Sequence, residues 1–183
     1  TKLSKKRIIQ MGESPKNIFL TGGLATEIIQ KTKILKKKNL KELLKISFKN
    51  NNFLVTIHPT TLENSKIKIQ MSELFKALDF FKDTNIFFTY PNADFGSSYM
   101  IKEIKKYILK RKGAKLFKYL GSKKYFSLIK NVDLVIGNSS SGILEAPLLK
   151  TFSINIGNRQ KGREKAKSII DCKNDKRSIV KAI

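Results

Sequence analysis

The residue types best suited to binding and catalysis lie between Leu134 and Glu164, where two polar turns follow two apolar runs. The first turn, Gly137 to Gly142, consists of glycine, asparagine and serine, and a predicted helix from Ile143 to Leu149 follows it directly. Such a turn directs backbone N–H groups, hydroxyls and the positive end of a helix dipole towards one spot. The pattern therefore predicts an anion site suited to phosphate. Serines also cap helices with nothing bound, so a simple capping turn is the alternative.

A second polar turn, Asn155 to Gln160, ends the next predicted strand, and Lys161 to Glu164 is predicted to begin another helix. Two consecutive strand ends then present polar groups at the same edge of one sheet. Arg159 is one of few arginines in a lysine-rich chain, and its fork-shaped guanidinium suits a phosphate held at two points. A surface arginine in a turn is the alternative.

Further candidates lie at the ends of other predicted strands. His58 is the only histidine and precedes a proline. A lone histidine is usually a structural hydrogen-bonding residue, but an imidazole at this edge could pair with phosphate or move a proton. Asn92 follows the next strand, where ordinary turn chemistry is a strong alternative. Asp94 is interpreted as a cap for a helix that begins near Gly96.

Glu145 lies in the first turn of the helix that follows the serine-rich turn. A carboxylate is favourable near a helix N-terminus whatever its function. The functional alternative is that Glu145 binds the vicinal hydroxyls of a ribose, as acidic residues do in other nucleotide sites.

Apolar, β-branched runs alternate with segments of helical periodicity along most of the chain. Strands are predicted at residues 17–21, 53–57, 86–89 and 114–119 and in the runs that end at 136 and 156, and helices at 25–33, 35–48, 67–81, 99–109, 124–130, 143–149, 165–170 and 175–182. This alternation predicts a single Rossmann-like, doubly wound α/β domain over residues 1–183, with a parallel sheet covered on both faces. Ligands of such sheets bind outside the carboxyl ends of the strands, where the polar candidates lie. No Gly-x-Gly-x-x-Gly or Walker motif is present, which argues against a dinucleotide cofactor.

The formal net charge of +24 favours an anionic partner, and nucleic acid is the obvious one. The basic residues are mostly lysines spread along the whole chain, which indicates solvated helix surface instead.

Cys172 is the only cysteine and has no zinc-ligand neighbours, which favours a reducing, cytoplasmic setting. No apolar run approaches the roughly 20 residues that span a bilayer. The sequence begins at Thr1 rather than Met, which we interpret as a fragment or a processed chain.

Four motifs occur in order along the chain. They are His58-Pro59-Thr60-Thr61, Pro91-Asn92-Ala93-Asp94, Gly137-Asn138-Ser139-Ser140-Ser141-Gly142 with Glu145, and Asn155-Ile156-Gly157-Asn158-Arg159-Gln160-Lys161-Gly162-Arg163-Glu164. Together they resemble the C-terminal half of the UDP-N-acetylglucosamine 2-epimerases over nearly the whole chain. The third and fourth motifs resemble the hydrolysing branch of that family, which serves sialic-acid and legionaminic-acid type sugar synthesis.

The resemblance implies the C-terminal domain of a glycosyltransferase-B type fold, in which two Rossmann-like domains enclose a sugar nucleotide and the C-terminal one mostly holds UDP. His58 would lie near the diphosphate and the reacting sugar, as the catalytic candidate of this chain. Asn92 and Arg159 would contact the nucleotide, and Glu145 would bind the ribose hydroxyls. Phosphate would be bound at the helix start by Ser139, Ser140 and Gly142.

The implied reaction removes the C2 proton of the sugar while UDP leaves from C1, and water then adds to the glycal intermediate. The products are UDP and a 2-epimeric free sugar, N-acetylmannosamine or a diacetamido relative, and no metal or redox cofactor is required. The family's N-terminal domain, which carries the acidic residues for the C2 proton, is missing from this sequence. Glu63 and Asp94 are interpreted more simply as loop and cap residues. We therefore expect weak UDP binding and no turnover by this chain alone.

Two other classes of protein stay open. The UDP-binding domain of a glycosyltransferase-B type enzyme has the same fold and binds the same nucleotide, whereas a nucleic-acid-binding domain is supported only by the net charge. The resemblance places the epimerase first, with a UDP-sugar as partner and neither nucleic acid nor membrane. The sequence leaves the acylamino sugar open, and exposed Phe and Ile next to a missing domain could promote a homo-oligomer.

Overall fold

Six strands form one sheet in the computed structural model, which describes residues 1–60 and 66–183. The strands are β1 (Asn51–Thr56), β2 (Thr84–Thr89), β3 (Ala114–Phe117), β4 (Leu134–Gly137), β5 (Phe152–Ile156) and β6 (Ile169–Cys172). All neighbouring pairs are parallel, and the order across the sheet is β3-β2-β1-β4-β5-β6. This is the strand order of the doubly wound Rossmann fold, so the predicted fold class is confirmed.

Eight α-helices lie in the described part of the chain. They are α1 (Lys2–Gln10), α2 (Leu24–Lys31), α3 (Lys37–Leu44), α4 (Ile67–Leu78), α5 (Ser97–Lys110), α6 (Gly121–Asn131), α7 (Ser141–Leu148) and α8 (Lys176–Ala182). A short 3₁₀ turn spans Pro15–Asn17. Among the described residues, no helix is both long enough and apolar enough to cross a membrane.

The two faces of the sheet carry separate hydrophobic cores, because successive side chains of a strand point to opposite faces. Val55 of β1 packs on one face, in the cluster that includes buried residues of α4, α5 and α8. Its neighbour Leu54 packs on the other face, with buried residues of α3, α6 and α7. Apolar runs without alternation therefore correspond to strands that are buried on both sides.

The strand predicted at residues 17–21 is wrong. The 3₁₀ turn ends at Asn17, and the chain from there to Gly23 has no regular structure. Phe19 is 81% exposed, and Leu20 is also exposed. A short apolar run forms a strand only where a sheet edge is available to satisfy its backbone, and this segment pairs with none of the six strands.

The helices predicted to begin at Lys161 and to span 165–170 are also wrong. Residues 158–163 form turns, with Gly162 at a φ of 83°, and Ile169–Cys172 is strand β6. Ile170 pairs with Ile154 of β5, so this segment adds a parallel strand at the edge of the sheet. Tertiary pairing here overrides a weak local pattern.

Other boundaries differ in smaller ways. The helix predicted at 35–48 is shorter, because Lys45 adopts a left-handed conformation (φ 50°) that ends α3 at Leu44. Phe48 lies beyond the helix and packs edge-on against Phe87. Helix α1 was not predicted. Of the loop predicted at Thr60 to Asn64, residues 61–64, which include Glu63, lie outside the described residues.

Candidate functional site

The polar turns meet at the switch point of the sheet, between β1 and β4. Thr56 at the end of β1 lies opposite Gly137 at the end of β4. The backbones approach so closely that a Cβ on residue 137 would lie 1.9 Å from the Thr56 carbonyl oxygen, and Gly137 has a φ of 140°. Only glycine is compatible with this approach. The first residue of the serine-rich turn is therefore dictated by how β4 packs against β1.

Asn138 connects the ends of these two strands. Its backbone N–H donates to the Thr56 carbonyl (3.3 Å). Its side-chain Oδ1 accepts from the backbone N–H of His58 (2.7 Å), and its Nδ2 donates to the His58 carbonyl (2.8 Å). The residue is only 5% exposed. The sequence motif contains Asn138, but no local signal could reveal this role because its partner is 80 residues away.

The imidazole of His58 is held in one tautomer. The ring is buried, and its Nδ1 accepts a hydrogen bond from the backbone N–H of Asn92 (3.0 Å). Nδ1 is therefore an acceptor, and the proton of the neutral ring is on Nε2. Burial lowers the pKa of His58 from 6.5 to about 4; the charge of Arg159 also lowers this pKa, and that of Asp94 raises it. At neutral pH the ring is uncharged, and its one N–H donor is on Nε2.

A cavity of about 340 Å³ opens at this edge. Four residues predicted from the sequence line it, namely His58, Asn92, Ser139 and Glu145. Aromatic side chains that follow β3 or belong to α6 form another part of the wall, including Tyr119 and Tyr125. The cavity thus combines aromatic surface, a carboxylate and the start of a helix, a set of groups suited to a nucleotide.

The serine-rich turn leads into α7 two residues earlier than predicted. Ser139 Oγ accepts weakly from the Ser141 N–H (3.3 Å), and the Ser140 carbonyl accepts from the N–H of Ile143 (2.9 Å). The Ser140 hydroxyl makes no capping hydrogen bond. Gly142 lies on the β5 side of the turn, where its carbonyl accepts from Ser153 Oγ (2.6 Å). Ser140 and Gly142 shape the turn without lining the cavity.

Glu145 is half-buried at the cavity wall, and burial raises its pKa above the usual range while a hydrogen bond with Ser141 opposes that rise. Its Oε2 has no hydrogen-bond partner among the described residues. Ser141 Oγ is also 2.6 Å from the hydroxyl of Tyr125, which sequence reasoning missed. A buried carboxylate oxygen without a partner at a cavity wall is able to accept a hydrogen bond from a bound molecule.

Arg159 lies behind the serine-rich turn. Its Nη1 donates to the carbonyl of Asn138 (3.1 Å), and it does not line the cavity. The neighbouring Gln160 is 2% exposed and donates from Nε2 to the same carbonyl (2.8 Å). The turn from Asn155 to Gln160 therefore stabilises the serine-rich turn through two hydrogen bonds to one carbonyl. Gln160 is part of the fourth motif, but a glutamine in a turn carries no local sign of burial, so the sequence predicts no role for it.

The predicted capping role of Asp94 is wrong. Helix α5 begins after Gly96, which has a φ of 90°, and none of the described side chains caps it. Asp94 instead contributes its backbone carbonyl to the Ser97 N–H (3.1 Å). Its carboxylate is exposed and acts on His58 electrostatically. A glycine with positive φ sets the start of this helix, which the residue pattern alone did not reveal.

The fold and this edge place the protein among doubly wound α/β proteins with a ligand cleft at the switch point of the sheet. Within that class, the family model described as UDP-N-acetylglucosamine 2-epimerase matches residues 1–183, and the chain belongs to this family.

Two curated relatives and one solved structure illustrate the likeness. The chain is 43% identical over 168 residues to the GDP/UDP-N,N'-diacetylbacillosamine 2-epimerase (hydrolyzing) of Campylobacter jejuni, covering 91% of this chain and 44% of that protein. It is 40% identical over 183 residues to the polysialic acid biosynthesis protein P7 of Escherichia coli, covering 98% and 46%. The UDP-GlcNAc 2-epimerase of Methanocaldococcus jannaschii in complex with UDP-GlcNAc and UDP shares the fold, with a TM-score of 0.72 at 23% identity over 100% of this chain and 51% of that one. The chain spans about half the length of the curated relatives it matches.

Proposed function

We propose that residues 1–183 form one UDP-binding domain, the nucleotide-binding half of a hydrolysing UDP-N-acetylglucosamine 2-epimerase. The complete reaction converts a UDP-sugar and water into a 2-epimeric free sugar and UDP, by elimination and then hydration. The observation that carries the proposal is the meeting of His58, Asn92, Ser139 and Glu145 around one cavity at the switch point. Family membership favours the epimerase over the glycosyltransferase alternative.

The groups around the cavity suit the parts of UDP in a definite order. The carboxylate of Glu145, which lines the cavity and whose Oε2 has no partner among the described residues, accepts from the ribose hydroxyls. The aromatic wall with Tyr119 and Tyr125 lies on the β3–α6 side and suits the uracil ring. The turn with Ser139 and Ser140 at the start of α7 receives the diphosphate, where backbone N–H groups and the helix dipole favour negative charge.

His58 acts as a neutral hydrogen-bond donor in this proposal. Its Nδ1 is occupied by the Asn92 N–H, so Nε2–H is the group available to the substrate. A donor at the diphosphate stabilises the charge that develops on UDP as it leaves C1 of the sugar. Arg159 adds positive charge from behind the turn while its Nη1 holds the Asn138 carbonyl.

The substrate class is a UDP-linked acylamino sugar. The names of the two curated relatives refer to N,N'-diacetylbacillosamine and to polysialic acid, which supports a role in acidic sugar synthesis for surface polysaccharides. The group that removes the C2 proton belongs, in this proposal, to the other half of the active site. The 183-residue chain is therefore expected to bind UDP and to release no free sugar from UDP-N-acetylglucosamine.

Calorimetric titration with UDP at moderate salt tests the proposal. Saturable binding that weakens several-fold in Arg159→Ala is expected, since the variant loses a positive charge behind the turn together with the bond to the Asn138 carbonyl. Lys161→Ala is the matched control, because Lys161 is an exposed cation in the same turn. Equal losses of UDP affinity in both variants would show that only the overall positive charge matters and that Arg159 has no specific role. A folded chain that binds no UDP would contradict the proposal.

A test of turnover complements the titration. Supplying the family's N-terminal half is expected to produce a 2-epimeric free sugar together with UDP. Release of UDP only upon addition of an acceptor sugar would instead identify a transferase. Formation of free N-acetylmannosamine by the 183-residue chain alone would show that this chain already contains the proton-abstracting group.

A further inference from the structure

We propose that Asn138 is the positioning residue of this site: its side-chain amide sets the backbone at His58, and its carbonyl sets the turn at Arg159, so that the two residues keep one relative geometry. The inference concerns how the site is held together, and it rests on the proposed function for the statement that His58 and Arg159 serve a nucleotide.

The first step is the way in which Asn138 extends the sheet. The ladder between β1 and β4 ends at the Thr56–Gly137 pair. Beyond that pair, the backbone N–H and carbonyl of the buried residue His58 are both satisfied by the Asn138 side chain, at 2.7 and 2.8 Å. An amide carries one acceptor and donors in a single plane, so it replaces one rung of a parallel ladder. A carboxylate lacks the donor and an aliphatic side chain lacks both groups.

The second step is the use of the main chain of the same residue. The Asn138 carbonyl accepts from Arg159 Nη1 (3.1 Å) and from Gln160 Nε2 (2.8 Å). Gln160 is 2% exposed, and its Oε1 has no partner among the described residues. A buried amide oxygen without a partner costs free energy, which offsets the gain from the bond at the other end of the amide. The one side-chain bond of Gln160 among the described residues is to the Asn138 carbonyl, and it holds the turn after β5 against Asn138.

The third step links the backbone of His58 to its ring. Asn138 binds both backbone polar groups of His58 and so fixes the position of its Cα. The imidazole extends from that position, and its Nδ1 accepts from the Asn92 N–H at 3.0 Å. Among the described residues, the charged groups that act on the ring are Arg159 and Asp94. Arg159 is bonded to the main-chain carbonyl of Asn138, which every substitution keeps. Loss of the side-chain amide would instead release the backbone of His58, and the ring would then be free to change its tautomer and its position relative to Arg159.

The only histidine of the chain gives a direct readout by NMR, because one set of ring resonances belongs to one residue. In the ¹⁵N-labelled wild-type chain, the ring nitrogens should report a neutral tautomer with Nδ1 as acceptor, which persists until the pH falls to about 4. In Asn138→Ala, the midpoint of the histidine titration should rise towards pH 6.5. The ¹⁵N signal that marks Nδ1 as a hydrogen-bond acceptor should be lost.

Two further variants make the result decisive. Asn138→Ser keeps a polar turn residue but replaces the two-ended amide with one shorter hydroxyl, so it provides a milder change if the alanine variant does not fold. Asn131→Ala is the matched control, since the Asn131 amide also donates to backbone carbonyls, those of Leu35 and Ser127, and bonds to neither His58 nor Arg159. If Asn138 had only a structural role, the Asn138 variants and Asn131→Ala would all lower the melting temperature without moving the histidine signals.

The outcomes separate the two proposals. A shifted midpoint and an altered tautomer in a folded Asn138 variant, with Asn131→Ala unchanged, support the positioning role. Folded Asn138→Ala or Asn138→Ser with wild-type histidine signals overturns it. Failure of the wild-type chain to bind UDP would count against the proposed function alone, because the histidine titration needs no ligand.

Discussion

The Nδ1 atom of His58 accepts a hydrogen bond from the backbone N–H of Asn92 at 3.0 Å, and this contact joins the residues that follow two adjacent strands, β1 and β2. A protonated ring could not accept this bond, so the contact belongs to the neutral form of the histidine. The site is therefore organised around an uncharged imidazole, and the consequences can be measured.

The first prediction concerns the pH dependence of stability. The pKa of His58 is lowered from 6.5 to about 4, so the stability linked to this group is present above pH 6.5 and is lost as the pH falls towards 4. A shift of this size corresponds to at most about 3 kcal/mol. Urea unfolding at pH 7 and pH 4 should show a larger loss in the wild type than in His58→Asn, which keeps an acceptor near Nδ1 and does not titrate. Equal losses in the two proteins would show that His58 is not a linked group.

The second prediction concerns Glu145. Glu145→Gln should bind UDP about tenfold more weakly, because a hydrogen bond to a charged acceptor contributes about 1.5 kcal/mol or more. The wild type should prefer UDP to 2'-deoxy-UDP, and the variant should lose most of that preference. Because burial raises the pKa of Glu145, the neutral variant should be at least as stable as the wild type.

Calorimetry with both nucleotides, together with thermal melts, checks this second prediction. Glu42→Gln on the exposed side of α3 is the control for loss of one negative charge. Retained ribose discrimination in Glu145→Gln would assign the hydroxyl contact to another residue.

The third prediction concerns the serine-rich turn. Ser139→Ala combined with Ser140→Ala should weaken binding of UDP several-fold while leaving the weaker binding of uridine unchanged, because only UDP places phosphate at the start of α7. Ser98→Ala, an exposed serine in the first turn of α5, serves as the control. Parallel losses for UDP and uridine would indicate that the turn supports the fold and contributes nothing specific to phosphate.

The fourth prediction concerns the glycine at the switch point. Gly137→Ala places a Cβ 1.9 Å from the Thr56 carbonyl oxygen and should destabilise the protein by about 3 kcal/mol or more. Gly162→Ala is matched to it, since Gly162 also has a positive φ (83°) but has nothing within 4 Å of its added Cβ. That control should cost about 1 kcal/mol, from backbone conformation alone. Similar unfolding free energies for the two variants would contradict the close approach of β1 and β4.

Local patterns in the sequence were sufficient for the central strands. Phe53, Val55 and Ile86 belong to apolar, β-branched runs that are buried on both faces, and such runs have few other stable placements. The positions of His58, Asn92 and the Gly137–Gly142 turn at the carboxyl ends of these strands followed from the same alternation. Their gathering around one cavity is a consequence of parallel strands, which end at a common edge.

Segments with weak local patterns were decided by the surrounding structure. Ile169 to Cys172 has no strong strand pattern, yet the open edge of β5 provides its partners. The run from Ile18 to Leu20 is more apolar, yet no sheet edge lies beside it, and Phe19 remains exposed. Pairing partners far away in the sequence determine both outcomes, and a window of neighbouring residues contains no information about them.

What the sequence alone determined was the α/β class, the order of polar strand ends and the residue types that could bind a nucleotide, because apolar periodicity and turn chemistry are local properties. Only the tertiary structure decided which polar groups are partners. Asn138 and His58 are 80 residues apart and exchange two hydrogen bonds because β1 and β4 are neighbours at the switch point. Burial at that junction keeps the imidazole neutral, and one oxygen of Glu145 has no partner in the part of the chain that the structure describes; both effects depend on atoms that the sequence does not place together.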